Sequence, residues 1–282
     1  GDDADDYPYL RESTETDTNP FGPYFLPHQL NRYTNVLGKI DYDGLLCTFV
    51  NDICTNKYGY RVVKVDDFSE FFTTFPENEF GRNIYYYDGT AGPFIVNSPW
   101  IMRNDLGSNL LILNSDLIVQ ENIEYGTEQI TGDDNINRLS SIGFLVKGNI
   151  TVDPSVTHMV GVYIALGEEN IERCPLLENP PGICSDDQAE PDNFCDKSLP
   201  NSCSSGFDCL SCGRITSGSS STNQLQVNGL MMARQFNFQR GLVTVENIPS
   251  ENITFDGRAI VNPPPGLEDF TKALPVIREV TP

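Results

Sequence analysis

Three segments of the chain repeat nearly the same pattern, and this repetition constrains the fold more than any other feature. They are residues 111–119, 144–152 and 225–233. In each, a short apolar strand is followed by two small or polar residues and then by a second short apolar strand. The middle pairs, which are predicted to bend, are Asn114-Ser115, Lys147-Gly148 and Asn228-Gly229. Because so small a unit cannot bury its own apolar side, copies have to stack on one another to form a core.

The same rhythm of short strands and corners continues through most of the chain. From residue 60 to 245, short β-branched and aromatic runs are closed by Gly, Asn, Pro or Asp. This predicts a mainly β fold, a single-stranded parallel (right-handed) β-helix or solenoid. A β-sandwich, which would use longer strands and hairpin turns, is the alternative. The lack of long amphipathic patterns argues against alternating strands and helices.

Breaks in the rhythm predict four parts. Residues 1–20 form an acidic N-terminal arm, 21–58 an N-terminal cap, 59–262 the β-helix and 263–282 a Pro-rich start with a C-terminal tail. A disulfide-rich loop insertion interrupts the β-helix at residues 168–212. In the cap, residues 43–54 are predicted as a short helix with its apolar side chains facing inwards. The three prolines after Asn262 indicate that the β-helix ends there and that the chain continues away from it in an extended conformation.

The charge is strongly one-sided, with 18 Lys and Arg against 40 Asp and Glu and a net charge of -22. Such a surface repels phosphate backbones and anionic lipid headgroups, which excludes nucleic acid and membrane surfaces as expected partners. No run approaches the roughly 20 apolar residues of a membrane-spanning helix. The start at Gly1, without Met or a signal peptide, predicts a mature product that has lost a leader or anchor. This interpretation fits secretion to the extracellular space or the cell surface.

The eight cysteines are predicted to form disulfides in an oxidising compartment, because they are even in number and six lie in a Pro-, Gly-, Ser- and Asp-rich stretch. They are Cys47, Cys54, Cys174, Cys184, Cys195, Cys203, Cys209 and Cys212. Cys47 and Cys54 are close enough in sequence for a local bridge, whereas the pairing of the other six stays open. Zinc is the alternative, since Cys209 and Cys212 have ligand spacing, but no second C-x-x-C accompanies them.

Three further stretches carry a resemblance to a known group of proteins. Residues 146–165, residues 223–238 and the ending at residues 256–266 resemble secreted or surface-anchored proteins of candidate-phyla (Patescibacteria-type) bacteria. The resemblance covers residues 60–282 and is weaker before them. It implies a β-helix held outside the cell, and it implies no catalytic residues.

The residues that could carry chemistry are few. His28 and His158 are the only histidines, and both are predicted as structural residues at turns. No nucleophile elbow, phosphate loop or zinc-protease motif occurs. A polysaccharide-cleaving β-helix enzyme could use clustered acids with a neighbouring base. The candidates for that role are Asp116, Glu121, Glu124 and Asp153, with Lys147 and Arg234. The prediction is nevertheless that the chain is not an enzyme.

No cofactor is predicted. Calcium at the acidic arm is the one metal considered, and the arm lacks the glycine and terminal glutamate of a calcium loop. Asn149 and Asn252 each begin an Asn-Ile-Thr glycosylation sequon.

Together these features predict an extracellular structural protein, a subunit of a self-assembling surface filament or sheath whose partners are copies of itself. The alternative is an adhesin that binds surface glycans. Its binding surface would be the cysteine-rich insertion or an aromatic patch formed by Tyr85, Tyr86, Tyr87 and Trp100, although these aromatic residues are expected to lie in the core or the cap.

Overall fold

The computed structural model describes residues 40–74, 81–130, 135–167, 182–184, 194–195, 209–210, 213–220, 222–233, 235–241 and 249–268. The predicted N-terminal arm, the first half of the predicted cap, most of the insertion and residues 269–282 lie outside the described residues. His28 and Arg234 lie outside them as well.

The described chain contains four short helices and eighteen strands. The helices are α1 (Tyr42–Leu45), α2 (Phe68–Thr74), α3 (Asn135–Arg138) and α4 (Arg258–Val261). The strands are β1 (Ile53–Thr55), β2 (Arg61–Lys64), β3 (Asn83–Tyr87), β4 (Phe94–Val96), β5 (Trp100–Met102), β6 (Ser108–Leu113), β7 (Leu117–Val119), β8 (Ile123–Tyr125), β9 (Ser141–Val146), β10 (Ile150–Val152), β11 (His158–Ala165), β12 (Gly182–Cys184), β13 (Phe194–Cys195), β14 (Cys209–Leu210), β15 (Arg214–Ser217), β16 (Leu225–Ala233), β17 (Gln235–Phe238) and β18 (Glu251–Thr254).

The prediction of a mainly β fold is confirmed, and the large sheets are parallel. The first sheet has eight strands in the order β1-β2-β3-β6-β9-β11-β16-β18, and only β1 is antiparallel to its neighbour. The second sheet has five parallel strands in the order β17-β15-β10-β7-β4. The third sheet contains β5 and β8. A small antiparallel sheet, β13-β12-β14, lies within the predicted insertion.

The chain passes through the sheets in a fixed order, and equivalent residues of successive repeats pair on neighbouring strands. It passes from the first sheet to the second as β3 to β4, β6 to β7, β9 to β10, β11 to β15 and β16 to β17. In the first sheet, Leu111 pairs with Phe144 and Phe144 pairs with Tyr163. The Phe144 and Tyr163 rings are stacked with their centroids 4.8 Å apart. Neighbouring strands of the first sheet therefore align similar side chains, which is required if the repeated segments stack on one another.

An inner core lies between the sheets. It contains Leu113, Leu117, Val146, Ile150 and Ile215, all fully buried. Each such side chain contributes about 1.5–3 kcal/mol when it leaves water. At the β1 side, α2 places Phe68 and Phe71 in this core, where Phe71 meets the Trp100 ring edge-on at 5.2 Å.

A second core covers the outer face of the first sheet. Outward side chains such as Leu110, Leu145 and Val162 are buried there beneath Leu45 from the N-terminal side and Leu267 from the C-terminal side. Both faces of β6 and β9 are consequently buried along their whole length. Their unbroken apolar sequences are typical of strands that are covered on both sides.

The predicted bends are correct in two repeats and wrong in the third. Asn114-Ser115 and Lys147-Gly148 lie between strands of the first and second sheets, as predicted. Asn228-Gly229 instead lies in the middle of β16, which continues to Ala233. The reason is that Gly229 pairs with Gly161 of β11, where the two backbones approach too closely for a side chain. Gly229, which suggested a corner in the sequence, is therefore required for the close contact between β11 and β16.

The helix predicted at residues 43–54 is also wrong beyond its first turn. α1 ends at Leu45, and Asn51 and Asp52 have φ angles of 50° and 63°. Two consecutive positive φ values form a type I′ hairpin turn, which Asn and Asp tolerate better than most residues. The turn joins the Val50 bridge residue to Ile53, and both side chains are exposed, whereas the prediction placed them in the core.

The chain does not leave the sheets at Asn262, contrary to the prediction. α4 follows β18 directly, and Pro264 then packs beside Gly143 on the outer face of the first sheet. Leu267 is fully buried, and Glu268 accepts hydrogen bonds from Tyr60 and Arg82 at the opposite end of the sheet. The prolines allow this course because the outer face needs an apolar cover and not a ladder partner.

Acid stability depends in part on Asp88, at the corner after β3. Its carboxylate lies 2.7 Å from Lys64 Nζ and accepts hydrogen bonds from the Thr90 N–H and hydroxyl. The Lys64 contact, helped by Thr90, lowers the pKa of Asp88 from 3.8 to about 2. Because the pKa is lower in the folded state, the stabilisation is complete above pH ~4 and is lost as the pH falls towards ~2.

We therefore expect Asp88→Asn to lower the free energy of unfolding by about 1 kcal/mol at neutral pH, since solvent screens this ion pair. The deficit should shrink between pH ~4 and pH ~2. Denaturant unfolding at several pH values measures it, with Asp66→Asn, at an exposed aspartate, as the control. A deficit that does not change with pH would contradict this role of the Asp88 carboxylate.

Candidate functional site

A groove opens where the third sheet ends. β5 and β8 form that sheet, and within the described residues no strand follows β8 in it. The path from β7 to β9 runs through β8, whereas residues 153–157 lead from β10 straight into β11. Because this shorter path adds no strand to the third sheet, a groove remains beside β8. The segment after β18 forms the far wall of this groove.

The groove has a volume of about 450 Å³, within the range of about 300–1,000 Å³ that is typical of small-molecule sites. β8 contributes Glu124 and Tyr125, and the start of β11 contributes His158. Its lining consists of Glu124, Tyr125, Gly126, His158, Val160, Asn228, Phe255, Asp256, Gly257 and Arg258.

Arg258 is held in place by several partners. Its guanidinium lies 4.2 Å from the centre of the Tyr125 ring, a cation–π contact, and its Nε is 3.4 Å from Asp256 Oδ2. Nη1 donates to the Asn104 side chain. Burial raises the pKa of Tyr125, whose hydroxyl accepts a hydrogen bond from the Ile142 N–H and stays protonated. One wall of the groove is therefore rigid and carries a fixed ion pair.

His158 is fixed on the other wall by the corner that precedes β11. Asn122 Oδ1 accepts hydrogen bonds from the Thr157 and His158 backbone N–H groups, at 2.9 and 3.1 Å. Thr157 Oγ1 lies 2.9 Å from His158 Nδ1. Among the described residues, Nε2 has no hydrogen-bond partner, so it stays available to a ligand. The sequence predicted His158 as a structural residue at a turn and did not indicate that its Nε2 atom would face the groove unpaired.

The groove offers both donors and acceptors. Glu124 and Asn228 make no side-chain hydrogen bond with another described residue, and Phe255 leaves 48% of its surface exposed. Across the described ranges, no group of three or more His, Cys, Asp or Glu side chains could hold a metal ion. Cofactor binding, including the calcium considered for the N-terminal arm, stays untested.

Two of the acids that the sequence proposed for catalysis, Asp116 and Asp153, do not converge. Asp116 precedes β7 and its Oδ1 accepts a hydrogen bond from the Asn149 N–H at 2.7 Å. Asp153 follows β10, which pairs with β7, so the two aspartates lie at opposite ends of neighbouring strands. Their backbone positions are roughly 13 Å apart along the strand direction. Paired glycosidase carboxylates lie about 5 to 9.5 Å apart. Hydrogen bonds from the Ser155 N–H and hydroxyl lower the pKa of Asp153, which indicates a role at the corner.

The remaining candidates are spread over the molecule. Only Glu124 lines the groove. Glu121 lies between β7 and β8, and Lys147 Nζ lies 5.3 Å from the centre of the Tyr42 ring, against the N-terminal segment. The structure thus places Glu124 and His158 on the same groove, which Asp116, Glu121, Asp153 and Lys147 do not line.

The two sequons differ in their surroundings. Asn149 is half-buried, and its Oδ1 accepts a hydrogen bond from the Arg214 N–H at 2.9 Å across neighbouring strands. Asn252 lies on β18, the last strand of the first sheet, and is exposed. Asn149 therefore stabilises the stack, whereas Asn252 is accessible for modification.

Cys47 and Cys54 form the predicted local disulfide, which joins the segment after α1 to β1. For the insertion, the structure describes only three short strands. In them Cys184 stands opposite Cys209, and Cys195 stands opposite Gly182. Cys174, Cys203 and Cys212 lie outside the described residues, so the pairing of these six cysteines stays a prediction.

The aromatic patch suggested for glycan binding is not a surface. Tyr85, Tyr87 and Trp100 are buried in the inner core, and Tyr86 stacks on Phe49 at 5.5 Å on the outer face. Phe255, Asp256 and Arg258 line the groove instead, and none of them was predicted as a site residue. An exposed aromatic residue before an Asp-Gly turn at a strand end was the only local signal for them.

No helix in the described ranges has the length and apolar character needed to span a membrane. Compared with known proteins, the chain matches no family, no curated protein and no solved structure.

Proposed function

We propose that the chain is a parallel β-helix that acts as a non-catalytic, extracellular structural subunit and assembles end to end with copies of itself. The solenoid architecture is supported by the repeated passage from the first sheet to the second and by the constant register of neighbouring strands. An array of this kind grows along one axis and ends in two open faces.

The two ends of the first sheet support self-assembly. At one end, β18 is the last described strand, and the side chains of Asn252, Ile253 and Thr254 are exposed. At the other end, the β1 hairpin exposes Val50 by 71% and Ile53 by 43%. Among the described residues, no strand follows β18, and outside β1 only the Val50 bridge is formed. Sheet edges with exposed apolar side chains are surfaces onto which another chain can pair. These two edges are the observation that carries the proposal.

The two edges also fit each other in direction. β1 runs antiparallel to the rest of the first sheet, whereas β18 runs with it. A second copy in the same orientation would therefore place its β1 antiparallel to β18 of the first copy, the pairing that is slightly more stable per residue. Repetition of such a heterologous contact produces an open filament.

Assembly has to overcome the net charge of -22 on each copy. Salt reduces this repulsion because the Debye length falls from about 10 Å at 0.1 M to about 3 Å at 1 M. We thus expect assembly to increase with ionic strength.

The Ile253→Lys variant tests the proposal. A lysine on the exposed face of the edge strand is expected to abolish filaments, because pairing would bury its charge. Sedimentation velocity and negative-stain electron microscopy at low and high salt measure the effect. The matched control is Ile136→Lys, since Ile136 is 60% exposed on α3, which lies between β8 and β9 and belongs to no edge strand.

Filaments of wild type and Ile136→Lys, with Ile253→Lys remaining monomeric and folded, would support end-to-end assembly. A wild-type protein that stays monomeric at millimolar concentration and at 1 M salt would overturn it. Equal assembly of both lysine variants would show that copies associate through another surface.

Two further parts of the proposal have separate support. The Cys47–Cys54 disulfide favours an oxidising, extracellular location. The separation of Asp116 and Asp153, each used to hold a corner, favours a non-catalytic role.

A further inference from the structure

We propose that the groove beside β8 binds a neutral saccharide, a role that goes beyond end-to-end assembly. The inference begins with its combination of groups. Glu124 supplies an acceptor, and Asn228 and the Nε2 atom of His158 supply donors or acceptors, none of them paired with another described residue. Phe255 adds an exposed apolar surface at the same groove.

This mixture distinguishes between ligand classes. A simple cation would be held by acceptors alone, and an anion by unpaired donors alone. The arginine in the groove is already bound to Asp256, Tyr125 and Asn104, so it leaves no free positive charge for an anion. Sugar hydroxyls donate and accept together, and the C–H face of a sugar ring packs on an aromatic side chain.

The groove is also pre-organised. Asn122 and Thr157 fix the backbone and ring of His158, while Tyr125 and Asp256 fix Arg258. A site whose side chains are already ordered loses less conformational entropy when a ligand binds. The open, polar shape suits one or two rings of a longer chain, which could continue past the groove into solvent.

Saturation-transfer NMR with maltose, cellobiose and di-N-acetylchitobiose tests the proposal on the full chain, followed by titration of any sugar that binds. We expect at least one of them to bind, and Phe255→Ala to weaken that binding by about tenfold. Glu124→Gln should weaken it as well, because the amide replaces one acceptor with a donor. The control is Phe238→Ala, since Phe238 is 40% exposed on β17 and does not line the groove.

Circular dichroism of each variant checks the fold, and Asn228→Ala provides a second groove variant if Phe255→Ala unfolds. Saccharide binding that is lost in the groove variants and kept in Phe238→Ala supports the site. The proposal is overturned if none of the three sugars binds, or if they bind equally to the groove variants. Tighter binding of butylamine or inorganic phosphate than of any sugar would also overturn it, because it would assign the groove to a charged ligand.

Discussion

Replacing Gly229 with alanine is expected to lower the free energy of unfolding by about 3 kcal/mol, at the upper end of the usual cost of overpacking. Gly229 of β16 is the direct partner of Gly161 in β11. A Cβ atom on Gly229 would overlap the Gly161 carbonyl oxygen, which is backbone and cannot turn aside as a side chain can. β11 and β16 would have to separate near the middle of the eight residue pairs that join them.

Denaturant unfolding followed by circular dichroism measures the effect, with Gly241→Ala as the matched control. Gly241 is exposed, and a Cβ built there meets no atom within 4 Å. We expect the control to change the stability by less than about 0.5 kcal/mol, as for most surface substitutions. If both variants unfold at the same denaturant concentration, β11 and β16 do not approach as closely as described.

Arg240→Met is expected to cost about 3 kcal/mol, because a buried carbonyl oxygen that loses its donor costs about 1–3 kcal/mol and Arg240 serves three of them. Arg240 is only 5% exposed and lies where the chain turns back after β17. Its guanidinium donates to the carbonyl oxygens of Val156, Asp153 and Asn223, at 2.7, 2.9 and 3.3 Å. It thereby joins the corner before β11 to the segment before β16.

Burial lowers the pKa of Arg240, and the nearby Glu251 and Asp153 favour its charged form. Methionine fills a similar volume but leaves the three carbonyl oxygens without these donors, and each buried, unsatisfied group is costly. Arg240→Lys should recover only part of the loss, because one ammonium cannot reproduce the planar fork of the guanidinium.

The matched control for Arg240 is Arg82→Met. Arg82 is 40% exposed and bonds to Glu268 at the surface, so the loss should be about 1 kcal/mol or less. Hydrogen exchange adds a local measure, since Arg240→Met should expose amides near Asp153 and Val156 ahead of those in β6. A loss no larger than that of Arg82→Met would contradict the anchoring role.

Local sequence pattern was sufficient for many of the strands and for two of the three bends, but it did not indicate β1, β5, β8 or β18. β6, β7, β9 and β10 follow apolar runs separated by Asn, Ser, Lys and Gly, and both periodicity and turn preference act over a few residues. The same local reasoning failed at Asn228-Gly229. Glycine serves both at corners and where backbones approach closely, and only the neighbouring strand decides between the two uses.

The site was harder to predict, because it is built from residues far apart in sequence. Glu124 and His158 were both noted, the first as a catalytic acid and the second as a turn residue. Nothing local connects them with Phe255 and Arg258, which arrive after β18. The tyrosines and tryptophan that looked suited to glycans are used in the cores, where large aromatic side chains gain most by leaving water.

By itself, the sequence determined that this chain forms short, stackable parallel strands with an acidic surface, because strand period, turn chemistry and charge are properties of neighbouring residues. Tertiary structure decided what covers the outer face of the first sheet and, among the described strands, which lie at the edges of that sheet and where the third sheet stops beside β8. Those features depend on contacts between residues such as Leu45 and Leu267, which are far apart in the sequence and meet only in the folded chain.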